Sequence, residues 1–270
     1  QYLTSIYILA HDKPLGHVVF DLSLLMLIFA SSATIAAGYI INNFYDSEKD
    51  LINRPQKSLL DRLVSQNTKL SFYFVLNFLA VIMASFVSFK AVLFFSVYIF
   101  AIWLYSHKLK KLPIIGNLTS AVLTITPFFA IFLYYKNFEP VIFVHASFLF
   151  LMISMRELTK DLENLKGDLA LNYKTIPIVY GEKASKNMLT ILGVFTLIPT
   201  YFLVNKYEIG NMDYFFYLSV ALIIVLLMLL WKSTTKTHYL LLHNILKFII
   251  VAGVFSILLI DVDLLLNRIA

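Results

Sequence analysis

Residues 22–41 read LSLLMLIFASSATIAAGYII, and residues 42–55, which follow directly, read NNFYDSEKDLINRP. The first stretch carries no charged residue, and its length suffices for a helix to cross a hydrocarbon core of about 30 Å. The second stretch places acids four residues apart where such a helix would leave the membrane. Like charges at this spacing destabilise an isolated helix, so the acids need a cause other than helix stability.

The composition extends the membrane signal over the whole 270-residue chain. Hydrophobic residues make up 60% of it and charged residues only 14%. A soluble domain could not hide so much apolar surface, because its outer face must be largely polar. We therefore predict an all-α fold, a polytopic bundle of transmembrane helices that forms one domain over residues 1–270 among membrane lipids. Because the sequence has no cysteine, disulfides, thiolate catalysis and Cys-ligated metals are excluded.

Nine apolar segments are predicted as membrane spans. They are residues 1–10, 15–41, 70–89, 91–105, 113–135, 140–155, 187–204, 213–231 and 245–266. The first is too short to cross a bilayer. Since the chain starts at Gln1 rather than Met, we expect this first helix to be truncated.

The distribution of Lys and Arg predicts the orientation of these spans. The connections after the second, fourth, sixth and eighth spans hold 17 of the 22 Lys and Arg residues. Under the positive-inside rule these connections face the cytoplasm, as does the N-terminus. The net charge of +6 therefore reports topology and not a nucleic-acid partner. We expect an integral protein of a prokaryotic inner membrane whose charged segments face the cytoplasm.

Acidic residues cluster in two of the cytoplasmic connections, residues 42–69 and 156–186, which hold nine of the sixteen Asp and Glu. Asn42, Asp46 and Asp50 are spaced i, i+4, i+8. They share one helical face if the helix of the second span continues into the connection. For either cluster taken alone, an ordinary solvated loop face is an equally good interpretation.

The second cluster repeats this pattern after the sixth span. Glu157, Asp161, Asn164 and Asp168 are spaced i, i+4, i+7, i+11, which again predicts one helical face. Monodentate carboxylates that leave room for water and phosphate oxygens suit Mg²⁺. Lys and Arg residues also occur in both segments, and the connection at 105–113 contains three lysines and no acid. This combination favours a diphosphate head group bound above an apolar groove.

Three histidines are expected to lie outside this site, whereas one acid remains a candidate. His107, His238 and His243 show no HxxxH or HxxE spacing, so surface or interfacial positions are expected for them. Asp21 lies early in the second span, where an acid is costly unless it is close to the outer surface. Its role is left open.

Both polar segments resemble the signatures of the UbiA-type intramembrane prenyltransferases. The first signature, N-D-x-x-D-x-x-x-D followed by N-R-P, is matched by residues 42–50 and 53–55. The second, R-E-x-x-K-D-x-E-D-x-x-G-D followed by K-T-L-P-x-x-x-G, is matched by residues 156–168 and 174–181. Residues 105–110 are similar to the family's Y-S-x-x-L-K connection. The resemblance covers almost the whole chain.

This resemblance implies Mg²⁺-dependent transfer of a prenyl group from an isoprenyl diphosphate, with geranylgeranyl diphosphate favoured, to a lipophilic acceptor. The implied catalytic and metal-binding residues are Asp46, Asp50, Asp161 and Asp168. The implied substrate contacts are Asn42, Asn43, Arg54, Lys110, Lys160 and Asn164. Asn43 and Asn164 stand where the family usually has Asp, which keeps a carbonyl oxygen at each position but removes one charge, so an impaired enzyme is left open.

The form of the second signature is most similar to the branch whose acceptor is the hydroxyl of geranylgeranylglycerol phosphate. An aromatic acceptor of quinone biosynthesis, of the hydroxybenzoate, dihydroxynaphthoate or homogentisate type, remains the alternative. A membrane transporter is a remote alternative, because two similar motifs after spans two and six resemble an internal duplication. A transporter is expected to carry acids within the membrane, and spans three to nine contain almost none.

Overall fold

A computed structural model describes residues 1–9 and 15–261, which form helices and no strand. Eight stretches of these residues are helical, long and apolar enough to cross a membrane. We number their main helices in chain order. They are α1 Leu22–Asn53, α2 Gln66–Ser85, α3 Phe89–His107, α4 Ile115–Tyr135, α5 Pro140–Glu163, α6 Ile176–Phe195, α7 Asp213–Lys232 and α8 Lys236–Ser256.

The predicted all-helical membrane fold is confirmed, but the division into spans needs correction at the N-terminus. The first predicted span is a short helical stretch, Tyr2–Thr4 continued by Ser5–Leu9. The second, 15–41, is divided into a short helix at Leu15–Val19 and the long helix α1. The expected connection at 11–14 lies outside the described residues.

Asp21 causes the division of the second span. Its Oδ1 accepts hydrogen bonds from the backbone N–H groups of Ser23 at 3.0 Å and Leu24 at 3.2 Å, which caps the N-terminus of α1. The Tyr134 hydroxyl donates to Oδ2 at 2.7 Å. The acid that is costly within a span is therefore a helix cap whose two carboxylate oxygens both accept hydrogen bonds.

Helix α8 begins nine residues before the predicted start at 245. The Thr235 hydroxyl accepts from the His238 N–H and caps the helix. The first turns are amphipathic, since Tyr239, Leu242 and Leu246 are buried between polar residues, and a hydropathy criterion misses such turns. The predicted end of this span, 262–266, lies outside the described residues.

The eight helices form two consecutive groups of four. In the first group α1 packs against α2 and α3, and in the second α5 packs against α6 and α8, while α4 packs against α5 and joins the groups. Each leading helix is followed by a short one, Pro55–Asp61 after α1 and Leu165–Ala170 after α5. This arrangement carries both polar connections to the same end of the bundle.

Candidate active site

A cavity of about 730 Å³ lies where the C-terminal ends of α1 and α5 meet. It brings together two segments that are more than a hundred residues apart in the chain. Nine of the ten predicted site residues line it, namely Asn42, Asn43, Asp46, Asp50, Arg54, Lys110, Lys160, Asp161 and Asn164. The tenth, Asp168, is fully buried beside the cavity.

Asp46 is held by partners from two other parts of the chain. Helix α1 continues to Asn53, so the stripe that the spacing predicts exists. Lys110, from the connection between α3 and α4, lies 2.8 Å from Asp46 Oδ1 and also donates to Asn42 Oδ1 at 3.1 Å. The Tyr173 hydroxyl donates to Asp46 Oδ1 at 3.3 Å. These contacts fix the carboxylate at the wall of the cavity.

Lys49 links the two acidic motifs. Its Nζ lies 3.1 Å from Asp168 Oδ1 and 3.8 Å from Asp46 Oδ1, and the Thr175 hydroxyl donates to Asp168 Oδ2 at 3.2 Å. Burial raises the pKa of Asp168 above its usual value, although the Lys49 ammonium opposes this shift. Lys49 was not among the predicted substrate contacts, because its partner in the second motif is distant in sequence.

The second stripe is not a continuous helical face, which corrects the prediction for residues 157–168. Helix α5 ends at Glu163, and Asn164 takes φ −103° and ψ 13° between α5 and the short helix Leu165–Ala170. Asp168 therefore belongs to a separate helix, whose direction allows its contact with Lys49. Asp161 stays on α5, where its Oδ2 accepts from the Asn117 amide at 2.9 Å.

Glu157, at the beginning of the second stripe, neutralises neighbouring cations. It forms ion pairs with Arg156 at 3.0 Å and with Lys160. Glu157 lines a smaller cavity of about 220 Å³, whereas Arg156 and Lys160 line both cavities. Lys160 thus faces the predicted diphosphate site while paired with an acid of its own helix.

Asn43, the first departure from the family pattern, has a structural explanation. Its amide nitrogen donates to Asp61 Oδ2 at 2.9 Å, and its carbonyl oxygen accepts from Lys69 Nζ at 3.1 Å. An amide can serve both partners, whereas an ionised Asp at this position would only accept and would face the Asp61 carboxylate. In this chain the carboxylate beside position 43 is supplied by Asp61, which also lines the cavity.

The acids of the cavity fit an open Mg²⁺ site and not a closed cage. Among the residues that the structure describes, no three acid or histidine side chains are close enough to hold a metal ion by themselves. Mg²⁺ is usually held by one or two carboxylates and completed by water and phosphate oxygens. Asn164, the second departure, leaves its buried carbonyl oxygen without a hydrogen-bond partner, so an acceptor atom is available at the cavity wall.

His243 contradicts the expectation of a surface histidine. Its side chain is only 4% exposed and the residue lines the cavity. Its Nδ1 lies 2.8 Å from Glu163 Oε2, and Arg54 lies 3.0 Å from Glu163 Oε1. Neither the histidine nor its partner was a predicted site residue, since they are 80 positions apart. His107 and His238 are exposed, as predicted.

Asn53 joins the two motifs at the base of the site. Its carbonyl oxygen Oδ1 accepts from the backbone N–H of Gly167 at 3.0 Å, and its backbone carbonyl accepts from Lys236 Nζ of α8. A Cβ atom at position 167 would lie 2.3 Å from Asn53 Nδ2. The close approach of α1 to the short helix Leu165–Ala170 therefore requires glycine at this position.

Comparison with known proteins gives consistent matches along the chain. The model of the UbiA prenyltransferase family matches residues 3–245. A digeranylgeranylglyceryl phosphate synthase of Methanobrevibacter smithii is 32% identical over 80% of this chain and 80% of its own length. The corresponding synthase of Thermococcus gammatolerans is 33% identical over 78% of this chain and 75% of its own length.

The fold of the chain is also similar to that of a solved structure. A UbiA homologue from Archaeoglobus fulgidus, bound to GPP and Mg²⁺, superposes with a TM-score of 0.67 at 15% identity. The match covers 95% of this chain and 93% of that one. At this level of identity, the likeness concerns the arrangement of the membrane helices.

Proposed function

Because the chain belongs to the UbiA prenyltransferase family, we propose that it is a geranylgeranyl transferase. The donor would be geranylgeranyl diphosphate, and the acceptor would be the free hydroxyl of geranylgeranylglycerol phosphate. The observation that carries the proposal is the 730 Å³ cavity, in which acids and cations of two distant motifs meet at one end of a membrane helix bundle. A ligand with a diphosphate head and a long apolar tail matches a polar cavity placed there.

The residues of the chain that would bind the diphosphate are cations already at the cavity wall. Lys110, Lys160 and Arg54 line the cavity, and Lys and Arg are the usual partners of phosphate oxygens. Asp46, Asp50, Asp161 and Asp168 would supply the carboxylates for Mg²⁺, one or two to an ion, with water and phosphate oxygens completing its coordination. The Archaeoglobus homologue was solved with both GPP and Mg²⁺ bound. When bound, Mg²⁺ supplies positive charge to the leaving diphosphate.

The proposed reaction requires the protein to stabilise the leaving group and to keep water away from the allylic cation. The C–O bond of the allylic diphosphate breaks, and its electron pair stays with the diphosphate. The donor site must therefore stabilise the negative charge that develops on this leaving group. The allylic cation must then meet the acceptor and not water. The bundle provides apolar surroundings for this step, because Leu158 and Leu162, which flank Asp161 on α5, belong to the hydrophobic core shared by α5 to α8.

The two synthases that resemble this chain support a phosphorylated acceptor. The cavity also holds more cations than one diphosphate needs, since Lys49, Lys57, Lys69 and Lys247 line it besides those already assigned. Lys49 and Lys69 already have partners in Asp168 and Asn43, so Lys57 and Lys247 are the cations that an acceptor head group could use. A glycerol phosphate head group would use them.

A panel of acceptors tests the proposed acceptor. Purified protein receives geranylgeranyl diphosphate, Mg²⁺ and either geranylgeranylglycerol phosphate, hydroxybenzoate, dihydroxynaphthoate or homogentisate, and the products are quantified by mass. We expect the glycerol phosphate ether to form at least about 100-fold faster than any aromatic product, because a site built for a polar group discriminates strongly against ligands that lack it. Faster prenylation of an aromatic ring would overturn the acceptor assignment.

We propose that the cavity faces the cytoplasm, and cysteine labelling tests this orientation. The chain has no cysteine, so single replacements need no further background changes. Gln56 and Glu139 are exposed at opposite ends of the bundle. In inverted and right-side-out vesicles, we expect Gln56→Cys to react with a membrane-impermeant maleimide only from the cytoplasmic side and Glu139→Cys only from the outer side. The reverse labelling would contradict the orientation.

A further inference from the structure

The cavity wall carries one side-chain arrangement of which diphosphate binding uses only a single member, Arg54. It consists of Arg54 at the end of α1, Glu163 at the end of α5 and His243 in α8, which contact one another in that order. The side chains of Glu163 and His243 are 2% and 4% exposed. Three helices thus place a carboxylate–imidazole pair at the wall of the site.

The hydrogen bonds define which nitrogen of His243 carries the proton. An ionised carboxylate can only accept, so the 2.8 Å contact with Glu163 requires a proton on Nδ1. The charge of Glu163 is already balanced by Arg54 at 3.0 Å, and the imidazole need not be charged to satisfy it. In the neutral ring, Nε2 then carries the free lone pair.

No other group of the described chain uses that lone pair. Nε2 is buried and has no hydrogen-bond partner among the described residues, although the ring borders the cavity. A buried acceptor without a partner is unfavourable by about 1–3 kcal/mol. Such an atom beside a substrate cavity is explained if a hydroxyl of the substrate donates to it.

We propose that His243 is the proton acceptor for the hydroxyl that attacks the prenyl group, with Glu163 and Arg54 as positioning residues. The proposal rests on the proposed function, because a hydroxyl acceptor must lose a proton when it forms an ether. The bond from the prenyl C1 to the diphosphate oxygen breaks with its electron pair on the diphosphate. The hydroxyl oxygen bonds to C1, and its proton moves to His243 Nε2.

A competition between two acceptors tests this role. Geranylgeranylglycerol phosphate competes, at pH 9, with its analogue in which a thiol replaces the free hydroxyl. A thiol is far more acidic than an alcohol, so a fraction of it is already ionised at this pH and its attack does not depend on a base. The ratio of thioether to ether product is measured by mass. This ratio does not depend on the amount of folded enzyme, because both products come from the same active molecules.

We expect His243→Asn to raise the thioether-to-ether ratio at least about tenfold over the unchanged protein, since a lost general base affects only the hydroxyl acceptor. Asn can still donate to Glu163 but has no basic nitrogen. Glu163→Gln, which disturbs the ring's tautomer and orientation, is expected to raise the ratio in the same direction by a smaller factor. If His243→Asn does not fold, the product ratio of Glu163→Gln tests the inference in its place.

His145 offers a matched control in the same fold. It is a buried histidine of α5 whose Nδ1 lies 2.9 Å from the Val141 carbonyl oxygen and whose Nε2 has no partner among the described residues. It lies about 24 Å along α5 from Asp161, at 1.5 Å per residue. We expect His145→Asn to leave the ratio unchanged.

The possible outcomes separate the inference from the function on which it rests. If the unchanged protein forms no ether with the hydroxyl acceptor, the proposed function is wrong. If it forms the ether and His243→Asn leaves the product ratio unchanged, His243 is only a structural link between α5 and α8, and the inference is overturned. The inference is also overturned if His145→Asn raises the thioether-to-ether ratio as much as His243→Asn does.

Discussion

Replacing Asp46 with Asn is expected to lower Mg²⁺-dependent release of diphosphate from geranylgeranyl diphosphate by at least about 100-fold. Asp46 is a buried acid that faces the cavity and carries ion pairs with Lys110 and Lys49. Asn keeps the size and one oxygen but removes the charge, so the metal and the two lysines lose the group that positions them. Asp161→Asn is expected to act in the same direction from the opposite wall.

Asp21→Asn is the matched control for this substitution. Asp21 is also a partly buried acid of the same helix, but it caps the N-terminus at the other end of the bundle. Asn is an equally good N-cap, so we expect both the midpoint of thermal unfolding and diphosphate release to stay close to those of the unchanged protein. If Asp46→Asn releases diphosphate at a rate within about twofold of the control, Asp46 is not a ligand of the metal.

Replacing Gly167 with Ala is expected to have the second large effect, on both stability and activity. The new Cβ would lie 2.3 Å from Asn53 Nδ2 and 2.7 Å from its Cγ. Asn53 is 4% exposed and bound to the Gly167 N–H, so it cannot move aside without breaking that bond. Overpacking of this kind costs about 1–3 kcal/mol, and a displacement of about 1 Å beside Asp168 can lower activity about 100-fold.

Thermal unfolding in detergent and diphosphate release measure these effects, with Gly16→Ala as the control. A Cβ at Gly16 has no atom within 4 Å, so this change is expected to be neutral. The double variant Asn53→Ala/Gly167→Ala removes the atoms that clash. We expect it to unfold at about the same temperature as Asn53→Ala alone. If the two substitutions lower the unfolding temperature additively, the contact between them is not the cause.

The general fold could be predicted because its signals are local. A run such as residues 22–41 must be a membrane helix in almost any context, since unpaired backbone groups are not tolerated in lipid. The boundaries that were wrong have equally local causes that hydropathy does not register. Asp21 and Thr235 begin helices through their side-chain caps, and the first turns of α8 are amphipathic.

The candidate site could be predicted in part. The spacing of Asn42, Asp46 and Asp50 on one helix places them together through helix geometry alone. The same rule failed for Asp168, because α5 ends at Glu163 and a short helix follows in a new direction. A motif thus identifies which residues belong to the site, while a break in the helix decides where they lie.

By itself, the sequence determined that this chain is a membrane helix bundle with two acidic motifs at one surface, because hydropathy, charge and helical period act between near neighbours. Only the tertiary structure decided that Lys49 of one motif pairs with Asp168 of the other, and that Glu163 lies between Arg54 and His243. Those partners are separated by 80 or more residues. Their contact follows from how α1, α5 and α8 pack, which no local pattern specifies.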